Sequence, residues 1–135
     1  MNPKLQPRRY ERVSVAVAAQ FNILLPEATF QPLNFPCIIR DLSERGAMVE
    51  VDLDTETYRM LLQKTRFCRV NFPAGNDIPE RVVGRSVWIQ PEGKGETRTF
   101  KIGLFFEDCP AVIVEQLRSF VHRLKLQQES ENAVS

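Results

Sequence analysis

The sequence predicts a mainly β fold: a six-stranded antiparallel barrel, with a short helix after the third strand and a longer helix at the C-terminus. Three observations carry this. Six apolar runs of strand length follow one another at short spacing, with Pro, Gly, Asn and Asp between them, the pattern of an antiparallel barrel or sandwich rather than of βαβ units. Beyond residue 107 the apolar period lengthens from two to that of a helix. The chain has 135 residues, 43% hydrophobic and 26% charged, enough for one domain with its own core.

Each element has a local reason. Val13, Val15 and Val17 begin a long, bent strand that reaches Leu25, where β-branched residues favour extended backbone. Pro26 and Pro32 bracket the connection to a second strand over 35–41. Ala47, Val49 and Val51 alternate with Met48, Glu50 and Asp52, which marks a half-buried third strand. Asp54 or Thr55 then caps a short helix within 54–66, with Tyr58, Leu61 and Leu62 on one side. A fourth strand spans 67–72, and the segment Pro73–Pro79 has strong turn chemistry. The fifth strand spans 81–90 and contains Gly84, the residue of a bulge or bend. A hairpin loop at 91–96 returns the chain into a sixth strand over 97–106. Asp108 is placed to cap the last helix, with Pro110 in its first turn. Ile113, Leu117, Phe120, Val121 and Leu124 then form one apolar face, which covers the barrel core or, as the alternative, forms a dimer seam.

Charge is unevenly placed. Net charge is +1, but of 18 basic and 17 acidic residues four and one fall in the first twelve positions, leaving 14 and 16 in the rest. A near-neutral body argues against a nucleic-acid polymer as partner. Cys37, Cys68 and Cys109 are odd in number and widely spaced, which suggests buried free thiols rather than disulfides or a zinc site. No stretch has the length or hydropathy of a membrane span or a signal core. A cytoplasmic protein without membrane insertion is expected.

Two motifs carry chemistry. Arg8, Arg9 and Arg12 lie in Pro7-Arg-Arg-Tyr-Glu-Arg12. Arg8 and Arg12 project to the same side of the chain, and guanidinium pairs in bidentate fashion with phosphate or with the O6/N7 edge of guanine. The second motif is Asp41-Leu-Ser43-Glu-Arg-Gly46, at a polar break between the second and third strands. The Asp41 carboxylate suits the paired donors of guanine, N1–H and the exocyclic amine. Ser43 and the backbone amides near Gly46 suit phosphate or base, the glycine offering positive φ and no Cβ. Taken singly, the first motif also reads as a solvated basic arm and the second as an ordinary turn. His122, the only histidine, reads as a helix residue, and no nucleophile motif or metal-ligand spacing occurs. No enzyme and no cofactor is expected.

Arg-x-x-x-Arg followed by Asp-x-Ser-x-x-Gly resembles the PilZ domain. The likeness continues in Val82-Val-Gly-Arg-Ser-Val-Trp-Ile89 and in Phe100-Lys-Ile-Gly-Leu-Phe-Phe106, so it covers about residues 8 to 125. It implies a split-barrel fold and a receptor for cyclic di-GMP. It divides the chain into a flexible arginine arm (1–12), a barrel domain with its C-terminal helix (13–126) and a polar tail (127–135). It implies ligand contacts from Arg8, Arg9, Arg12, Asp41, Ser43 and Gly46, with the arm wrapping over a ligand held on the barrel surface. Arg40 and Arg45 are second-tier candidates. Trp88 either stacks on a guanine or packs in the core, since Val87 and Ile89 flank it and its face is not fixed. The family implies a protein partner in motility, polysaccharide synthesis or adhesion, and a conformational change on binding. The rival readings are a PilZ-like adaptor acting without nucleotide, a small-barrel binder of single-stranded nucleic acid and a hydrolase of the messenger. Nothing in the sequence selects one ligand or a stacked pair.

Overall fold

A computed structural model describes residues 11–24, 33–63, 66–75, 78–92 and 98–134. Six strands close into an antiparallel barrel in the order β1-β2-β3-β6-β5-β4. They are β1 (Arg12–Leu24), β2 (Leu33–Ser43), β3 (Gly46–Asp52), β4 (Phe67–Asn71), β5 (Arg81–Pro91) and β6 (Thr99–Phe105). Closure leaves no unpaired strand edge. Helix α1 (Thr55–Gln63) links β3 to β4, and α2 (Ala111–Val134) ends the chain.

The core is the inward set of these strands. Phe21, Ile23, Ile39, Leu42, Val49, Val51, Val70 and Ile102 are all fully buried, and Leu117 and Val121 of α2 join them. Tyr58 of α1 stacks on Phe100 with ring centroids 4.4 Å apart. Asp54 caps α1: its Oδ1 accepts from the Thr57 amide at 2.7 Å, which with the Thr57 hydroxyl holds the carboxyl below its usual range.

The register shifts at three places, one of them in β1 between Ser14 and Val17, and the other two set which site side chains face outward. One extra residue, Arg40, enters β2 between Ile39 and Asp41 in its pairing with β3. Another, Val87, enters β5 between Ser86 and Trp88 in its pairing with β6. A bulge reverses the inward–outward parity beyond it. Asp41 and Trp88 therefore point out, where strict alternation with Ile39 and Ser86 would turn both inward.

Three expectations change. Gly84 is not the bulge; it sits where a Cβ would press on the Phe106 ring and the Phe105 carbonyl. Asp108 does not cap α2: it has φ 53° in the preceding turn, and the Pro110 carbonyl accepts the first helical bonds, from Ile113 and Val114 at 3.0 Å each. Helix α2 also continues through residues 127–134, a segment expected to be a polar tail, because its Gln, Glu and Ser residues keep the helix going on a solvent-facing side. The expected hairpin tip at 93–96 lies outside the described residues.

Candidate functional site

The two motifs meet. Arg12 is the first residue of β1 and pairs in register with Ser43, while Ser14 pairs with Asp41. Arg12 donates from Nη2 to Asp41 Oδ2 at 3.1 Å. The side chains are 43% and 28% exposed, so the pair is worth only about 0.2–1 kcal/mol and is easily exchanged for a ligand. The other carboxylate oxygen, Asp41 Oδ1, is buried with no hydrogen-bond partner among the described residues. An acceptor left this way costs about 1–3 kcal/mol, which a donor arriving from outside recovers. Arg8 and Arg9 lie outside the described residues.

Ser43 and Gly46 shape the shelf beside Asp41. Ser43 Oγ accepts from the amides of Arg45 and Gly46, at 3.1 Å each, and makes a long contact to the Gly46 carbonyl at 3.4 Å. Ser43 is buried. These amides, expected to be open to a ligand, are thus committed to the turn. Gly46 does not have positive φ; among the described glycines that is Gly75. Gly46 is required for a different reason: a Cβ there would overlap the Leu104 carbonyl oxygen, because β3 begins pressed against β6.

The second-tier residues separate. Arg40 donates from Nε to Glu50 Oε2 at 2.6 Å, and this bond holds the Glu50 carboxyl below its usual range. Arg45 is exposed in the turn, and its carbonyl accepts from the Phe106 amide at 2.8 Å. Trp88 is on the outside, 46% exposed, with its ring laid over Gly103. The register runs Asp41, Met48, Gly103, Trp88 across β2, β3, β6 and β5. In a ring of six strands β2 and β5 are three steps apart either way, so Trp88 is not brought beside Asp41.

Helix α2 holds this corner from behind, through residues that no local sequence signal singled out. Glu44, inside the second motif, is buried and receives Arg118 at 2.7 Å from Nη2, with Nε also within 3.3 Å. Glu115 steadies the same guanidinium at 2.9 Å. His122 Nδ1 lies 3.2 Å from Glu11 Oε2, next to Arg12, and Gln128 donates to the Ser14 carbonyl at 2.8 Å. A groove of about 390 Å³ lies between them, lined by Glu11, Glu44, Glu115, Arg118, Ser119, Val121 and His122. Among the described residues no cluster of three His, Cys, Asp or Glu could hold a metal ion, and no helix is long and apolar enough to cross a membrane.

Known structures share the architecture. The chain is similar to the PilZ domain of YcgR from Escherichia coli, solved with c-di-GMP, at 17% identity and TM-score 0.62 over 95% of this chain and 98% of that one. It is similar also to the Bacillus subtilis inhibitor of motility MotI/DgrA, at 15% identity and TM-score 0.58 over 91% of this chain. There it spans about half of the longer protein, 53%. No curated protein matches the sequence. The family model of the PilZ domain matches residues 6–123, nearly all of the chain, and the protein belongs to the PilZ domain family.

Proposed function

We propose that this protein is a cyclic di-GMP receptor that relays occupancy to a protein partner. The reading rests on one observation above all: Arg12 of the first motif meets Asp41 of the second at 3.1 Å, while the far oxygen of Asp41 is buried and lacks a donor among the described residues. A guanine edge supplies a paired donor for that carboxylate, and its phosphates attract the guanidinium released from it. Arg8 and Arg9 would bring further charge to the phosphates, Ser43 and Gly46 fix the shelf, and Arg40 and Arg45 border it. Binding by a PilZ relative, as in the YcgR structure with c-di-GMP, supports the choice of ligand. The likeness to an inhibitor of motility supports motility as the partner's process.

Relay runs through α2. The helix is tied to Glu11, Ser14 and Glu44, residues adjoining or paired with both halves of the site. Movement of Arg12 onto a ligand disturbs these ties, and so the surface α2 offers.

Calorimetry with cyclic di-GMP tests the reading. Binding at micromolar affinity or tighter is expected for the unaltered protein. Arg12→Ala and Asp41→Ala should each remove most of it, while Arg123→Ala, outside both motifs, should not. Absence of heat and of any thermal shift with the unaltered protein would reject the receptor and favour an adaptor working without nucleotide.

A further inference from the structure

The groove on α2 has no part in the ligand contacts assigned above. It lies where the start of β1, the β2–β3 turn and the first half of α2 come together, and it encloses about 390 Å³, near the low end for a ligand pocket. Its lining is more apolar than polar and includes the buried Val121. Three carboxylates stand around it, Glu11, Glu44 and Glu115. They face one guanidinium, Arg118, shared between Glu44 and Glu115, and one imidazole, His122, set against Glu11. Negative charge is in excess whether or not that imidazole is protonated. Glu11 and Glu115 each keep one oxygen, Oε1, without a hydrogen-bond partner among the described residues.

An apolar lining with an acidic rim suits a side chain that has an aliphatic stem and a cationic head. The chain supplies such side chains at this spot. Residues 1–10 lie outside the described residues and join the fold at Glu11, on the rim of the groove. They carry Lys4, Arg8 and Arg9 and no carboxylate. Arg9 and Arg8 are two and three residues from Glu11, within about 7 and 11 Å of extended backbone. The nucleotide shelf offers the arm less: its carboxylate, Asp41, already has Arg12 at 3.1 Å. A separate basic peptide has the same chemistry, but an arm joined at the rim acts at an effective concentration of about millimolar and takes the groove first.

We propose that the groove is the docking site of the chain's own basic arm in the absence of nucleotide, with the guanidinium of Arg8 or Arg9 between Glu11 and Glu115. An arm held there is withheld from the phosphates, so cyclic di-GMP has to displace it, and its departure uncovers an acidic groove on α2. The displacement rests on the receptor reading above; the docking does not.

Nitrogen-15 relaxation of the full chain without nucleotide tests the docking. The Arg8 and Arg9 amides should have order parameters close to those of the barrel, about 0.8, and fall below about 0.6 in Glu115→Lys. Ser119→Arg, which sets a competing guanidinium in the groove, should release the arm in the same way. Nuclear Overhauser contacts from the arm should reach Ser119 and the His122 ring. Calorimetry tests the displacement: both variants should bind cyclic di-GMP about threefold or more tighter than the unaltered protein, because the competent fraction rises. Order parameters below about 0.6 in the unaltered chain overturn the docking. So does an ordered arm whose contacts run to Asp41 and Met48, or one that both variants leave ordered while circular dichroism shows native fold. A released arm with unchanged nucleotide affinity overturns the displacement. Absence of nucleotide binding in every variant rejects the receptor and the displacement with it, while relaxation still decides the docking.

Discussion

At the scale of single residues, Gly46 shows how one position serves two demands. Its amide donates to Ser43 Oγ, and its missing Cβ lets β3 start against the Leu104 carbonyl. Gly46→Ala therefore forces β3 and β6 apart at the end where the site lies. Overpacking of this kind costs about 1–3 kcal/mol. Urea denaturation should show a loss in that range, and cyclic di-GMP binding should weaken with it. A fully stable alanine variant would mean that the strand start yields without strain. Asp41 illustrates the opposite economy: a weak partner on one oxygen and, among the described residues, none on the other keep it available.

At the scale of elements, the bulge at Arg40 and α2 decide the site. The Arg40 bulge turns Asp41 toward Arg12, and without it Asp41 would point at the core. Among the described side chains, helix α2 buries only Leu117 and Val121 completely, so its polar ties supply much of its docking. Arg118→Ala leaves the Glu44 carboxylate, 8% exposed, without that guanidinium. A loss of about 1–3 kcal/mol is expected, with faster hydrogen exchange along α2. Glu115→Ala, at a carboxylate 64% exposed, should cost much less. Equal effects of the two would show that Glu44 is satisfied by solvent.

At the scale of the whole molecule, the thiols report how the barrel opens. Burial pushes Cys37 and Cys68 up to about 12, and both are enclosed by the closed sheet. Cys109 is half-buried and raised less by the same cause. A disulfide reagent at neutral pH should consume one thiol quickly. The other two should react only at the rate of global unfolding, because a closed barrel has no edge strand to fray. Cys109→Ser should remove the fast phase. Two fast thiols would mean that β2 or β4 opens locally.

Sequence alone settled the six strands, both helices and the two motifs, because period-two and helical apolar patterns and turn residues are local properties of the chain. It placed the start of β1 and the β2–β3 turn in order, but not in contact. Antiparallel pairing of β1 with β2, which sets Arg12 beside Ser43 and Ser14 beside Asp41, is a register that only closure of the barrel fixes. The same holds for Trp88. Val87 and Ile89 flank it and leave its face open in the sequence, and a single inserted residue at Val87 turns it out. The ties of α2 to Glu11, Ser14 and Glu44 join positions 74 to 114 residues apart. Such contacts follow from how the helix packs on the finished barrel, which no short stretch of sequence encodes.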